Sequence, residues 1–385
     1  MSLKTAARGR ISPFIVMEVM RAAAERAKSG ADVLHMEVGQ PGTGAPRGVI
    51  EAARAALDGH RLGYTVALGI PELREAIAGH YRDYYGATIP TERVVVTTGS
   101  SGAFMLSFLA AFDPGDRVAL AAPGYPCYRN ILSALGVEPV SLMSTAADRF
   151  QPTPELLDRA RADAPLHGLI VASPSNPTGT MLGTAEFKEL VDYCRSHDIR
   201  LISDEIYHGI TFHHKADTAA AFTDDAVIIN SFSKYFSMTG WRLGWMVVPE
   251  DLMRAVESLA QNLFISPPTL SQLAAVAAFD CHEELQANVA RYAENRELLL
   301  AELPKAGFTE LAPADGAFYI YADVGHMTND SEAFCRRILN EAGVAVTPGV
   351  DFDPARGNRF LRFSFAESQQ EIAAAAEALK AWHAG

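Results

Sequence analysis

The chain has 385 residues, and no CxxC pair joins any of its four cysteines, Cys127, Cys194, Cys281 and Cys335. A zinc ribbon and a redox dithiol are thereby excluded, and four free thiols of a reducing compartment remain. The eleven histidines contain no HExxH, and His213-His214 stands as an isolated pair, so no metal-ligand spacing is present. Neither GxGxxG nor a Walker A lysine occurs, which removes the usual support for dinucleotide or nucleoside-triphosphate binding. The apolar run GAFMLSFLAAF, 102–112, is too short to span a bilayer. No apolar signal core follows Lys4, Arg8 and Arg10, and a cytoplasmic location is expected. Basic charge is scarce: 33 Lys and Arg against 46 Asp and Glu give a net charge of −13. An acidic chain without basic blocks is poorly suited to nucleic acid or an anionic membrane. A basic group inside a site is then a local exception with a reason.

Composition is otherwise that of a globular protein, with 49% hydrophobic and 21% charged residues. The length exceeds one ordinary core and predicts two domains. From about residue 90 to 250, short apolar runs alternate with helical patterns: RVVVTTG, DRVALAAPGY, HGLIVASPSNP, IRLISDEIY, AVIINSFSK and RLGWMVVPE. In TAEFKELVDYCRSHD, Phe187, Leu190, Val191 and Cys194 fall at helical spacing. Continuous apolar strands alternating with helices predict an α/β fold with a mostly parallel, doubly covered sheet. Later segments mix strands and helices, as in a smaller α+β domain. The expected organisation is 1–45 as an N-terminal arm and part of the small domain, 46–281 as the large domain and 282–385 as the small domain. Residues 252–300 read as a long helical link, and 367–383 as a final helix.

Ligands of an open α/β sheet sit outside the carboxyl ends of its strands. There the chain offers Gly99-Ser100-Ser101-Gly102, then Pro174 to Gly179, then Asp204 and Tyr207, then Ser231, Ser233 and Lys234. TGSSGAF leads from a strand into a helix, whose first N–H groups suit a phosphate; an ordinary strand-to-helix turn reads the same way. Strand alternation puts Asp204 on one face with Ile202 and Ile206, and a carboxylate on an apolar face needs a cationic partner. The plainer alternative ends the strand at Ser203 and leaves Asp204 solvated. SPSNPTG is too rigid for a casual loop, and either of its X-Pro bonds can be cis; it is read as holding Asn176. In INSFSKYFSMTGWRLGW, 229–245, Lys234 lies among hydroxyls and Arg242 between two tryptophans. A lysine in a partly desolvated site can lose its proton and form a Schiff base. Ser231, Ser233 and Arg242 can hold a phosphate, and Asp204 a protonated ring nitrogen. These groups together describe a pyridoxal phosphate site.

At these residues the chain resembles the class I/II aminotransferases, the fold-type-I pyridoxal phosphate family that includes aspartate aminotransferase, from about residue 10 to 380. SFSKYFSMTGWRLGW is similar to the family's lysine segment, with SPSNPTG and SDEIY at the expected distances before it. PGYPCY, GYTVALGIPELREAIA and RFLRFSFA resemble three further family segments. The resemblance implies that Lys234 binds the cofactor's aldehyde and Asp204 its ring nitrogen, while Tyr207 and Asn176 bond its phenolic oxygen. Tyr125 would stack on the ring. Ser100, Ser101, Ser231, Ser233, Arg242 and, across a homodimer with shared active sites, Tyr64 would surround the phosphate. Arg362 would take the substrate's α-carboxylate as a bidentate pair, with Gly39 offering backbone to the same group. Alternation in RFLRFSFA agrees, setting Arg362 and Ser364 on one face and Leu361, Phe363 and Phe365 on the core face. The implied reaction is a ping-pong transfer of an α-amino group to a 2-oxo acid, with the freed Lys234 amine as general base.

One departure concerns substrate. Bacterial aspartate aminotransferases of similar pattern often carry a lysine in GGKQAL; here the stretch is GSSGAF, with Ser101 at the lysine position. Phe14, Ile15 and Phe104 are candidates for an apolar side-chain pocket, and aspartate-type, alanine, branched and aromatic donors all stay open. Lyases, decarboxylases and cyclopropane-forming synthases share the lysine segment and are the enzymatic alternative. Transcription regulators with an aminotransferase-like domain prepend a DNA-binding helix-turn-helix, for which a pattern beginning near residue 10 leaves no room.

Overall fold

The computed structural model describes residues 3–384. Its centre is a seven-stranded sheet: β1 Val94–Thr97, β2 Arg117–Ala122, β3 Glu138–Met143, β4 Gly168–Ala172, β5 Arg200–Asp204, β6 Val227–Ser231 and β7 Gly244–Val247. The order across the sheet is β1-β7-β6-β5-β4-β2-β3. β7 runs antiparallel to both neighbours, and all other pairs are parallel. No long crossover helix separates β6 from β7, so the chain turns back beside the strand it has just left.

Alternation sorts the strand residues into two cores. Val94, Val96, Leu169, Val171, Leu201, Ile228, Trp245 and Val247 pack in one cluster. Their neighbours Val95, Ile170, Ile202, Ile229 and Met246 pack in the other. Both faces are therefore covered, which is why these strands read as unbroken apolar runs. Helix Thr184–Ser196 buries Phe187, Leu190, Val191 and Cys194, the four positions its periodicity names. Strand β3 was not among the predicted runs. Its sequence EPVSLM holds a proline and a charge, and it lies half exposed at the sheet edge, where neither is costly.

A second, four-stranded antiparallel sheet joins Thr347–Pro348, Phe360–Ser364, Tyr319–Asp323 and Glu310–Leu311 in that order. Near the N-terminus, Leu34–His35 pairs in parallel with Val344–Ala345. The segment 252–300 is not one long helical link. It forms helices Glu250–Leu263, Thr269–Ala275 and His282–Glu302, the first break falling at Ser266-Pro267-Pro268, where the prolines remove backbone donors. Helix His282–Glu302 packs on the final helix, Gln369–Ala384. Among the described residues no helix is long and apolar enough to cross a membrane.

Candidate active site

The carboxyl ends of β1, β4, β5 and β6 open into a cavity of about 520 Å³ between the large sheet and the segments carrying Gly39, Tyr319 and Arg362. Gly39, Ser100, Ser101, Tyr125, Asn176, Asp204, Tyr207, Ser233, Lys234, Arg242 and Arg362 line it together. Two expected residues do not. Ser231 is buried below the lining, where its Oγ accepts the Ser233 N–H at 3.0 Å and lies 2.9 Å from Ser233 Oγ. It braces the turn that presents Ser233 and Lys234. Tyr64 is 85% exposed and lies outside this chain's own cavity.

β5 ends on Asp204, not on Ser203, so alternation carries the carboxylate to the cavity wall with only 3% exposure. Asp204 accepts the Ile206 N–H at 3.1 Å and the Tyr128 hydroxyl. Burial pushes its carboxyl up to about 6, against the pull of these two donors and of Lys234. Tyr128 was missed from the sequence. It sits one helical turn after Tyr125 in PGYPCY, so both tyrosines occupy one face of helix Pro126–Leu135, which starts at the Tyr125 cap.

Lys234 donates from Nζ to the Gly39 carbonyl at 2.5 Å. Burial lowers its ammonium to about 8; Arg362 and Arg242 push the same way, and Asp204 opposes them. Gly39 has no room for a side chain, since a Cβ there would stand 1.9 Å from the Tyr319 hydroxyl. That hydroxyl lies 2.7 Å from the hydroxyl of Tyr207. Burial, reinforced by Tyr319, raises the Tyr207 phenol well above its ordinary value, so it remains protonated.

Arg362 is 2% exposed, which removes the reading of a surface ion pair. Its Nη1 donates to Asn176 Oδ1 at 2.9 Å, and its Nη2 donates to Thr347 Oγ1 at 3.2 Å and to the Glu37 carbonyl. Its Nε is buried without a partner. The guanidinium lies between the rings of Tyr319 and Phe352, 4.4 and 4.8 Å from their centroids. Neither ring was foreseen; Tyr319 was reachable in principle, from the alternation of AFYIYADV.

Arg242 has φ 53°, and its Nη1 donates to Thr239 O at 3.0 Å. Across from it, Gly99 has φ +67°, and a Cβ there would stand 2.6 Å from Arg242 Nη2. Glycine thus lets the guanidinium lie against the first turn of helix Gly99–Ala111, beside the Ser100 and Ser101 side chains. A guanidinium next to helix-initial N–H groups makes an anion site.

The apolar wall differs from the one expected. Phe14 lines the cavity, its ring edge-on to Tyr125 at 5.8 Å. Ile15 does not, because the helix it begins turns it away, toward a second cavity beside helix Ser331–Ala342. Phe104 is 1% exposed in the core beneath, packed on Phe108 and Tyr128, because helix Gly99–Ala111 faces it into the sheet. Val16, Met17, Met20 and Val38 complete the wall.

A cavity at a sheet switch point that gathers a half-buried lysine, a buried carboxylate and two arginines is the layout of a group-transfer enzyme. The sequence matches the family of aminotransferase class I and II over residues 31–379. The valine–pyruvate aminotransferase of Mycobacterium tuberculosis is 52% identical over 386 residues, covering 99% of each chain. The aspartate/prephenate aminotransferase of Thermus thermophilus is 33% identical over 372 residues, covering 95% of each. A crystal structure of an aminotransferase from Mycobacterium tuberculosis superposes with a TM-score of 0.96 at 52% identity, covering 99% of each chain. The chain belongs to aminotransferase class I and II. It is a transaminase, moving an amino group from an amino acid to a 2-oxo acid, and the lyase alternative is not favoured. The family depends on pyridoxal phosphate.

Proposed function

We propose that this chain binds pyridoxal 5′-phosphate through Lys234 and transfers the α-amino group of an apolar amino acid to a 2-oxo acid by a ping-pong route. The observation that carries this is one donor set in one cavity: Lys234, Asp204, Arg242 and Arg362 line it together. The set fits the cofactor group by group, with the Arg242 guanidinium, which Gly99 admits to the first turn of helix Gly99–Ala111, suited to its phosphate. When bound, the cofactor supplies an electron sink for the substrate's α-carbon.

The chain's residues do the rest. Asp204, steadied by Tyr128, would hold a proton on the ring nitrogen. Tyr207 and Asn176 would bond the ring oxygen, and Tyr125 would pack on the ring. Ser100, Ser101, Ser233 and Arg242 would hold the phosphate, with Ser231 bracing Ser233. Arg362 turns its guanidinium edge to the substrate carboxylate, and Gly39 adds backbone. Lys234, with its ammonium near pH 8, has a usable neutral fraction at neutrality, so its Nζ can take the α-proton and return it. The same residues run the second half-reaction in reverse with the acceptor acid.

The donor class follows from charge. Lys234, Arg242 and Arg362 are the cations of the cavity wall, and each already has a partner in this scheme. A second substrate carboxylate would be left unpaired against Phe14, Met17, Met20 and Val38, at a cost in desolvation. The Mycobacterium relative's name, with valine as donor and pyruvate as acceptor, supports the same reading. Tyr64 serves the phosphate of a partner subunit in a homodimer; the exposure of Tyr64, Val66, Leu263 and Ile265 supports an interface there. A chain that sediments as a monomer overturns that assignment. Four free thiols support a reducing, cytoplasmic setting.

The test is the visible spectrum of the purified holoprotein. Valine alone should bleach the band of the Lys234-bound cofactor, aspartate should not, and pyruvate should restore it. A bleached band that no 2-oxo acid restores overturns transamination, and a protein that forms no band with added cofactor overturns the role of Lys234.

A further inference from the structure

Helix Ile15–Lys28 forms one side of the cavity, and few of its residues are buried. Its cap residue Phe14 supplies no side-chain hydrogen bond, and only Val16 and Ala23 of its fourteen residues are buried. Ala23, with Val19 and Ala22, packs on Leu339 and Ala345, and Arg26 Nη1 donates to the Asn340 carbonyl of helix Ser331–Ala342 at 3.1 Å, beside the second cavity, of about 220 Å³. A helix with so few buried contacts opens easily. Its free N–H groups are satisfied from elsewhere in the chain. Asp351, 336 positions later, accepts Ile15 N–H through Oδ1 and Val16 N–H through Oδ2, both at 3.2 Å. Asp351 is 1% exposed, and its own carbonyl accepts from Arg129 of helix Pro126–Leu135. The backbone of Asp351 is therefore held by Arg129, and its carboxylate is bonded to the helix start. A carboxylate at a helix N-terminus is favourable both as an acceptor and against the helix dipole.

We propose that Asp351 is a positioning residue that fastens this helix over the substrate end of the cavity, so that Met17 and Met20 become the wall for an apolar donor side chain. The clamp acts on substrate through the helix and has no direct part in proton transfer. The wall half of the proposal rests on the apolar-donor reading above; the clamp half does not.

Both halves are tested on the holoenzyme, with Asp351→Asn, Asp351→Ala and Met17→Ala. Asp351→Asn keeps one acceptor and is the variant that preserves folding. Hydrogen exchange should quicken about tenfold at the amides of residues 15–20, the effect of losing one hydrogen bond to a charged group. Exchange in the final helix, Gln369–Ala384, should not change. The KM for valine should rise by about tenfold with kcat within about twofold, and the KM for alanine, which has almost no side chain to place, should rise less. Adding Met17→Ala to Asp351→Asn should raise the valine KM by less than the product of the single effects. Unchanged exchange at residues 15–20, or faster exchange throughout both helices, overturns the clamp. Equal KM changes for valine and alanine, or fully multiplicative effects, overturn the wall. If no apolar amino acid is turned over, the donor reading fails on its own, and exchange still decides the clamp.

Discussion

Asp204 is a charge that the protein without cofactor holds at a cost, and Asp204→Asn measures that cost. Its carboxyl sits at about 6 in the folded chain against 3.8 when free, because burial disfavours the anion more than Tyr128 and Ile206 favour it. A folded value above the unfolded one means that Asp204 contributes most to stability below pH 3.8. That contribution is lost as pH rises to about 6. The gap of about two units amounts to roughly 3 kcal/mol at neutral pH. Asparagine removes the anion while keeping shape and one acceptor. The cofactor-free Asp204→Asn protein should thus be more stable than the native one above pH 6, by up to about 3 kcal/mol less the one hydrogen bond it cannot replace. Near pH 4 the carboxyl is protonated in the folded chain, and the native protein should be the more stable by about that hydrogen bond. With cofactor the sign reverses, since asparagine cannot hold a proton on the ring nitrogen, and affinity and turnover should both fall by orders of magnitude. The assay is urea unfolding of the cofactor-free pair from pH 4 to 8. A stability difference that does not vary with pH, or a native protein that is the more stable at pH 8, would refute the claim that Asp204 is a buried, underpartnered carboxylate.

Two other substitutions test the remaining ends of the cavity. Gly99→Ala forces a Cβ to within 2.6 Å of Arg242 Nη2 at φ +67°. Backbone strain of roughly 1 kcal/mol and a displaced guanidinium should weaken cofactor binding by about tenfold or more in a spectroscopic titration, and unchanged affinity would place the phosphate elsewhere. Arg362→Lys keeps the charge but loses the planar fork held between Tyr319 and Phe352. KM for the amino acid should rise roughly 10- to 100-fold with the cofactor band intact, whereas a loss of cofactor instead would show that Arg362 does not serve the substrate.

Much of the fold was legible because its signals are local. The six predicted apolar runs are six of the seven sheet strands, since a strand buried on both faces has to be apolar throughout. The candidate site was legible for a related reason. Polar residues at the ends of such strands have no structural use there, so Asp204, Asn176 and Lys234 stood out against their surroundings. Strand β3 escaped because an edge strand tolerates the proline and glutamate that hide it. Phe104 and Ile15 were misplaced because helical periodicity defines a face but not what that face meets.

The sequence by itself determined the strand runs, the helix faces and the identity of the chemical groups, because each depends on spacing along the chain and on side-chain type. Tertiary structure alone decided which groups meet. It set Tyr128 against Asp204, Tyr319 against Tyr207 and Gly39, the Phe352 ring under Arg362, and Asp351 at the start of a helix 336 positions away. Each of these contacts joins residues from separate elements, and the distance between them is fixed by packing and not by the local pattern of either one.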